Sequence, residues 1–352
     1  MWKLDNDGSV LDNRRNVVVF GAERFMKDVI AGEACFLCGV QPNVRPFKDL
    51  LILPEWLLRR YDLAAKTVQT PRGPTLRYDE NTVRCCQSCN ILVNDEIERP
   101  VCDAVSRGGN AINDYIAKNG LAKIYIWLAL LFVKTHLKDN LARYSLAPAG
   151  SKVPPAFEWS KLHLVHSMVR GHLANVQVDV EATGSFLVLP VNTQSVTSGF
   201  DYADLYGGQT AMVRFDGMAV FTVFDDTGAA MNCFWPQLEK VTAPLSHIQL
   251  REVLAELAYI NTLLKARPIY KTSAELETER LFLTATRPEL AFKEPDPALR
   301  GRLLRAVLGA GLDQIQMEGH TPADVAAAVD AGNLTFLFDD EGKFIENSWK
   351  PA

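Results

Sequence analysis

The chain has 352 residues, 48% of them hydrophobic and 22% charged, the make-up of a globular protein of two or three domains. A net charge of −5 excludes a globally basic nucleic-acid binder, so contact with DNA or RNA has to come from a local patch. Seven cysteines, odd in number and clustered, speak against a disulfide framework and for a reducing cytoplasm, and Met1 to Gly8 carry no apolar signal segment.

In chain order, Trp2 to Leu11 reads as a hairpin about Asp7-Gly8, Val17 to Phe20 as a strand and Glu23 to Ala31 as a helix. Pro54, at a first helical position, opens a short helix over Glu55 to Tyr61. Thr67 to Val83 reads as turn-rich strands around Pro71 to Pro74, and a helix begins near Asn90. From about 111 to 176 the pattern is helical, with a linker at Ala147 to Gly150 and at Pro154-Pro155. Within it, Ile124 to Val133 is an unbroken apolar run closed by Lys123 and Lys134. A bilayer span takes ~20 such residues, so the run predicts a buried central helix packed on residues from about 157 to 176, and no membrane.

From Gln177 to Trp235 the period changes to two. Strands are expected at Phe186 to Leu189, Ala211 to Phe215 and Met218 to Phe224, joined by turns at Asp216-Gly217 and Asp226-Thr227-Gly228. Ser246 caps a long helix running to about Lys265. Beyond residue 272, helices are expected at Ala274 to Leu283, at Pro297 to Leu308 and from Thr321-Pro322 to Gly332. Strands at Leu334 to Phe338 and Lys343 to Glu346 finish the chain. The fold class is α+β, in three regions: a cysteine-bearing domain over 1–110, a helical plus β-rich region over 111–271 and a small α/β segment over 272–352.

The chemistry concentrates in two knuckles, Cys35-Phe-Leu-Cys38-Gly and Cys86-Gln-Ser-Cys89-Asn. Two C-x-x-C pairs a few tens of residues apart are the spacing that holds one tetrahedral Zn²⁺ through four thiolates. Cys35, Cys38, Cys86 and Cys89 are therefore the expected ligands of a structural zinc. Cys85 could compete with Cys86, but only Cys86 has the two-residue spacing to Cys89. Cys102 and Cys233 read as small buried hydrophobes. His163 and His166, three apart on a helix with His172 beyond, could share a metal, but no Glu-x-x-His companion stands near them, so satisfied or exposed helix histidines are the better reading.

The order Cys-x-x-Cys-Gly, Leu-Pro-Glu-Trp-Leu-Leu (53 to 58) and Val-Arg-Cys-Cys-Gln-Ser-Cys-Asn (83 to 90) resembles bacterial and phage HNH-endonuclease-type zinc proteins. The resemblance covers roughly residues 33 to 140, with a looser echo to about 265. It implies an N-terminal ββα unit in which a histidine just before the Pro-x-Trp element activates water while further His, Asn or acidic residues hold Mg²⁺ or Mn²⁺. Here that position is Leu51, and no histidine precedes His136. Substitutes are Asp49, two residues earlier on the same strand face, and Asn90, whose ordinary task would be capping a helix. Asp95, Glu96 and Glu98 form an acidic cluster that reads as a solvated face.

The resemblance thus implies an HNH-like scaffold that has lost its base. Between Arg45 and Arg84 eight basic residues face five acidic ones, with Trp56 and Tyr61 interspersed. Arg45, Lys48, Arg59, Arg60, Arg72 and Arg77 are the candidate phosphate contacts. The expected function is a zinc-stapled module that binds DNA or RNA without cutting, in a setting of bacterial or phage defence or mobile DNA. An active nuclease with a substituted base, and a structural subunit that binds another protein, are the alternatives.

Overall fold

The computed structural model describes residues 2–69, 75–107, 111–146, 159–195, 198–275, 279–315, 317 and 319–346. Its fold is mixed α and β, with helices interleaved among several small sheets. The chain forms two compact units that alternate along the sequence: residues 1–107, 115–182 and 270–284 make the first, and 108–114, 183–269 and 285–352 the second.

The first unit opens on a hairpin of β1 (Lys3–Leu4) and β2 (Val10–Leu11), turned at Gly8 as the sequence predicts, with β3 (Val17–Val19) added antiparallel. The expected helix at 23–31 is a single turn, α1 (Ala22–Arg24), that widens into a π turn over Phe25–Ile30. Next, β4 (Leu50–Leu51) leads into α2 (Glu55–Arg60), where Pro54 stands at the N-cap rather than inside the first turn. A ribbon of β5 (Thr67–Gln69) and β6 (Thr75–Arg77) follows; the turn expected at Pro71 to Pro74 lies outside the described residues. Strand β7 (Thr82–Val83) returns to pair with β4, placing Leu50 against Val83 and Leu51 against Thr82.

The helix after β7 starts three residues earlier than expected, because the second knuckle is itself its first turn. Here α3 (Gln87–Val93) runs through a π turn (Asn94–Glu98) into α4 (Arg99–Ser106). After α5 (Ala111–Asn119), the apolar run lies in α6 (Ala122–Leu146), where Ile124 to Val133 are fully buried. Its partner is α7 (Trp159–Leu173), and the Tyr125 hydroxyl reaches Met168 Sδ across the contact at 3.7 Å. No single helix among the described residues is long and apolar enough to cross a membrane, although α5 and α6, bent by 114°, pass that test as a pair by length and composition alone. The expected linker at 147–155 lies outside the described residues. Strand β8 (Gln177–Val178) ends this stretch.

The second unit is built on an antiparallel sheet of β9 (Phe186–Pro190), β10 (Phe200–Leu205), β11 (Thr210–Phe215) and β12 (Met218–Val223), in the order β10-β11-β12-β9. Asp216-Gly217 makes the tight β11–β12 turn as predicted, pairing Phe215 with Met218. Asp226-Thr227-Gly228 joins no strands. It opens α8 (Ala229–Leu238), since buried Asp226 accepts hydrogen bonds from the Gly228 and Ala230 amides and so begins a helix. Ser246 caps α9 (His247–Leu263) with a reciprocal Gln249 contact, and α8 and α9 share one apolar core with Met212, Phe221 and Val223 of the sheet. The expected 274–283 helix is instead a hairpin of β13 (Ile269–Glu275) and β14 (Arg280–Thr286). It belongs mainly to the first unit, where β14 adds parallel to β8. Alternation decides this: Leu281 and Leu283 point inward from β14, and a helix would scatter them. Finally, α10 (Pro297–Leu308) and α11 (Pro322–Asp330) form where the sequence places helices, capped by Asp296 and Thr321. The two strands expected at the C-terminus reduce to one bridge, Phe338 to Phe344, around the Asp339–Lys343 turn.

Candidate metal centre

The first knuckle closes on itself: the Cys35 amide donates to Val40 O at 2.9 Å and the Gly39 amide to Cys35 O at 2.8 Å. Gly39 sits at φ +70°, and a Cβ there would lie 2.9 Å from the Phe20 ring, so the loop needs glycine on two counts. The second knuckle is a helix start, with Cys86 at the N-cap and the Asn90 amide bonded to Cys86 O. Backbone contacts join the two. The Phe36 amide donates to Arg84 O, the Gln87 amide to Pro46 O, and Phe47 bridges Cys86.

These contacts gather one sulfur each from Cys35, Cys38, Cys86 and Cys89 so that all four lie within 4.8 Å of one another. The Cys38 and Cys86 sulfurs are 3.7 Å apart. A tetrahedron with metal–sulfur bonds of ~2.3 Å has edges of ~3.8 Å, which the Cys38–Cys86 pair matches and which no other pair exceeds by more than about 1 Å. All are buried except Cys38, which is half-buried. Among bare sulfurs the protons divide unevenly: hydrogen bonding from Cys38 holds Cys35 well below the ordinary thiol range, and the same contact raises Cys38. A divalent cation relieves that crowding by letting all four ionise. The four cysteines can therefore hold a metal ion.

A fifth sulfur adjoins the set. Cys85 is fully buried with its Sγ 3.9 Å from that of Cys35, and this contact, reinforced by burial, raises its thiol far above the ordinary range. The other cysteines correct the expectation of small buried hydrophobes: Cys102 is half-buried beside Ser106, and Cys233 is exposed on α8.

Around the centre stand the helix histidines. His163 Nε2 lies 2.7 Å from Phe20 O, and His166 Nε2 lies 2.6 Å from Phe36 O, between the first two ligands. Burial pushes His166 down to about 3, so it is a neutral imidazole donating to that carbonyl. His166 braces the first knuckle through its backbone, while His163 holds the residue after β3, whose Phe20 ring packs on Gly39.

The expected catalytic neighbourhood is organised differently from the sequence reading. Asn90 caps nothing; its Nδ2 donates to Lys48 O and Asp49 O, tying the helix to the approach of β4. Asp49 is exposed there. Leu51 faces Thr82 across the β4–β7 pair, and two lysines one turn apart on α6 take the carbonyls of both residues: Lys134 Nζ lies 2.8 Å from Leu51 O and Lys138 Nζ 3.0 Å from Thr82 O. Lys134 is completely buried, with Glu98 Oε1 at 3.4 Å. Desolvation lowers its ammonium, against the pull of Glu98. The supposed acidic face is thus split three ways: Asp95 pairs with Arg99, Glu96 with Lys123, and Glu98 is buried against Lys134. Sequence reasoning missed this pair; the lysine that ends the apolar run of α6 was its one signal.

Of the candidate phosphate contacts, Arg45, Lys48, Arg59, Arg60 and Arg77 are exposed, and Arg72 lies outside the described residues. Arg59 is 3.9 Å from Glu55, Arg77 holds Asp79 at 2.6 Å, and Arg45 reaches Asn16. Compared with known proteins, the chain matches no family model, no curated protein and no solved structure.

Proposed function

We propose that the first unit is an HNH-like scaffold, stapled by one structural Zn²⁺, that binds nucleic acid without hydrolysing it. Zinc is the ion that four thiolates at this spacing favour, with no open position for substrate and hence a structural role. The antiparallel β4–β7 pair followed by α3 is the order of elements the resemblance implies. The observation that carries the non-hydrolytic reading is the Lys134–Glu98 pair, sealed against the backbone of Leu51. At the position the resemblance gives to the base stands a leucine, and its backbone carbonyl is held by a buried ammonium already paired with a buried carboxylate. Leucine accepts no proton, and the loss of a general base removes ~10²–10⁴-fold from hydrolysis.

Binding is supported by the segment from Arg45 to Asp49, which the Phe47–Cys86 bridge and the Asn90 side chain fix in place, presenting Arg45 and Lys48 outward. Arg59 adds an exposed guanidinium held only weakly by Glu55, Arg60 is exposed beside Tyr61, and Arg77, held bidentately by Asp79, has to exchange that partner to reach a phosphate. The test is filter binding of DNA and RNA over a range of salt, together with Mg²⁺- and Mn²⁺-dependent cleavage assays. Affinity should fall steeply with salt, and Arg45→Ala or Lys48→Ala should each lower the logarithmic slope by about one. A flat, weak response would overturn the nucleic-acid reading in favour of a protein-interaction subunit. Turnover that vanishes in Asp49→Ala would restore the nuclease.

A further inference from the structure

The geometry around Cys35 points to a second use of the metal centre. We propose that Cys85 is a resolving thiol which, on oxidation by a peroxide, forms a disulfide with Cys35 and so releases the zinc. The inference rests on the zinc reading given above.

Three observations carry it. Cys85 Sγ stands 3.9 Å from Cys35 Sγ, about the separation of two ligands on one ion, yet Cys85 is not among the four that converge. Cys85 and Cys35 are both completely buried, so bulk thiols do not compete for the Cys35 sulfur and only an oxidant as small as hydrogen peroxide can reach it. The Cys85 backbone is pinned, because the Lys48 amide donates to Cys85 O and the next residue is the N-cap ligand Cys86. Cys85 thus stays beside Cys35 while the knuckles are intact, and closing the sulfurs to a bond of ~2.05 Å needs side-chain rotation with a small backbone shift.

The chemistry balances with peroxide as oxidant. The Cys35 thiolate attacks one peroxide oxygen; the O–O bond breaks, leaving a Cys35 sulfenic acid and a hydroxide that takes up a proton as water. The Cys85 sulfur then attacks the sulfenic sulfur, the S–OH bond breaks, and the Cys85 proton leaves with the hydroxide as a second water. Two electrons pass from the sulfurs to the peroxide. Three thiolates remain, and zinc loses one of four bonds together with the closed shell that retained it.

The experiment starts from reduced, full-length protein whose zinc content is first measured as one per chain. Should no zinc be found there, the zinc reading itself fails before any oxidant is added. Hydrogen peroxide is then titrated with a chromophoric zinc indicator present, and the products are mapped by peptide mass spectrometry. Wild type should lose two hydrogens per zinc released and yield a Cys35–Cys85 cross-link. Cys85→Ser and Cys85→Ala should keep the full zinc content when reduced and release it at least several-fold more slowly. Reduction by dithiothreitol with added zinc should restore wild type. Release at an unchanged rate from both variants, or cross-links confined to Cys35–Cys38 and Cys86–Cys89, would overturn the proposal. The wild-type cross-link map decides the matter by itself if the variants do not fold.

Discussion

Replacing Lys134 by alanine tests the buried ion pair of the first unit. At 3.4 Å the Lys134–Glu98 attraction is about 5 kcal/mol for an effective dielectric near 20, most of it offset by taking two charges out of water. Removing the lysine strips that compensation while Glu98 stays buried. Leaving one partner of a buried pair uncompensated costs several kcal/mol. The bond to Leu51 O is lost as well, for a further ~1 kcal/mol. Lys134→Ala should therefore destabilise the first unit by about 3–5 kcal/mol at pH 7. Lys134→Met with Glu98→Leu, which removes both charges, should restore stability to within about 1 kcal/mol of wild type. Urea denaturation of the metal-loaded protein at pH 7, with Lys134→Met and Glu98→Leu also made singly to complete a double-mutant cycle, measures both quantities. Additive single effects, or a Lys134→Ala penalty below 1 kcal/mol at pH 7, would show that the pair does not act as a sealed unit.

In the second unit, Glu252 accepts from the Phe336 amide and lies 3.4 Å from Arg300, yet burial outweighs these contacts and raises it to about 7. An acid raised in the fold binds its proton before the unfolded chain does. Stability should therefore fall as pH rises from about 4.5 to 7, and Glu252→Gln should abolish that part of the pH dependence of the urea midpoint, by about 3 kcal/mol. Stripping the metal with a chelator under reducing conditions, or Cys38→Ser, should take zinc from one per chain towards none by elemental analysis and lower the melting temperature of the first unit. Gly39→Ala should cost at least ~1–2 kcal/mol through its positive φ and the Phe20 contact, read by denaturation with zinc present. Asn90→Ala should cost ~1 kcal/mol and weaken nucleic-acid binding by loosening the Lys48 segment, measurable as faster proteolysis near residue 48.

What the sequence disclosed and what it hid divide along the range of the interactions involved. The knuckles were legible because C-x-x-C builds its turn from neighbouring residues, and the gathering of four sulfurs follows once both turns exist. The caps at Ser246, Asp296 and Thr321 are equally local, and the helices they open formed where expected. The segment 274–283 failed for the opposite reason. Its run Glu-Leu-Glu-Thr-Glu-Arg favours a helix locally, but β14 gains a parallel partner in β8, about a hundred residues away, and buries Leu281 and Leu283 in doing so. α8 was hidden because its start depends on buried Asp226 being held by Ser185, from across the fold. The same holds at the site. Lys134 looked like the polar end of an apolar run, and Glu98 like one charge among three on a helix face. Only the fold brings them together beneath Leu51, and that meeting turns a missing histidine from a gap in a motif into an argument about chemistry. On the reading proposed above, a histidine at position 51 would still stand on a backbone carbonyl held by the buried Lys134–Glu98 pair, so Leu51→His alone should not create a nuclease, and Mg²⁺- or Mn²⁺-dependent turnover by that variant would refute the reasoning.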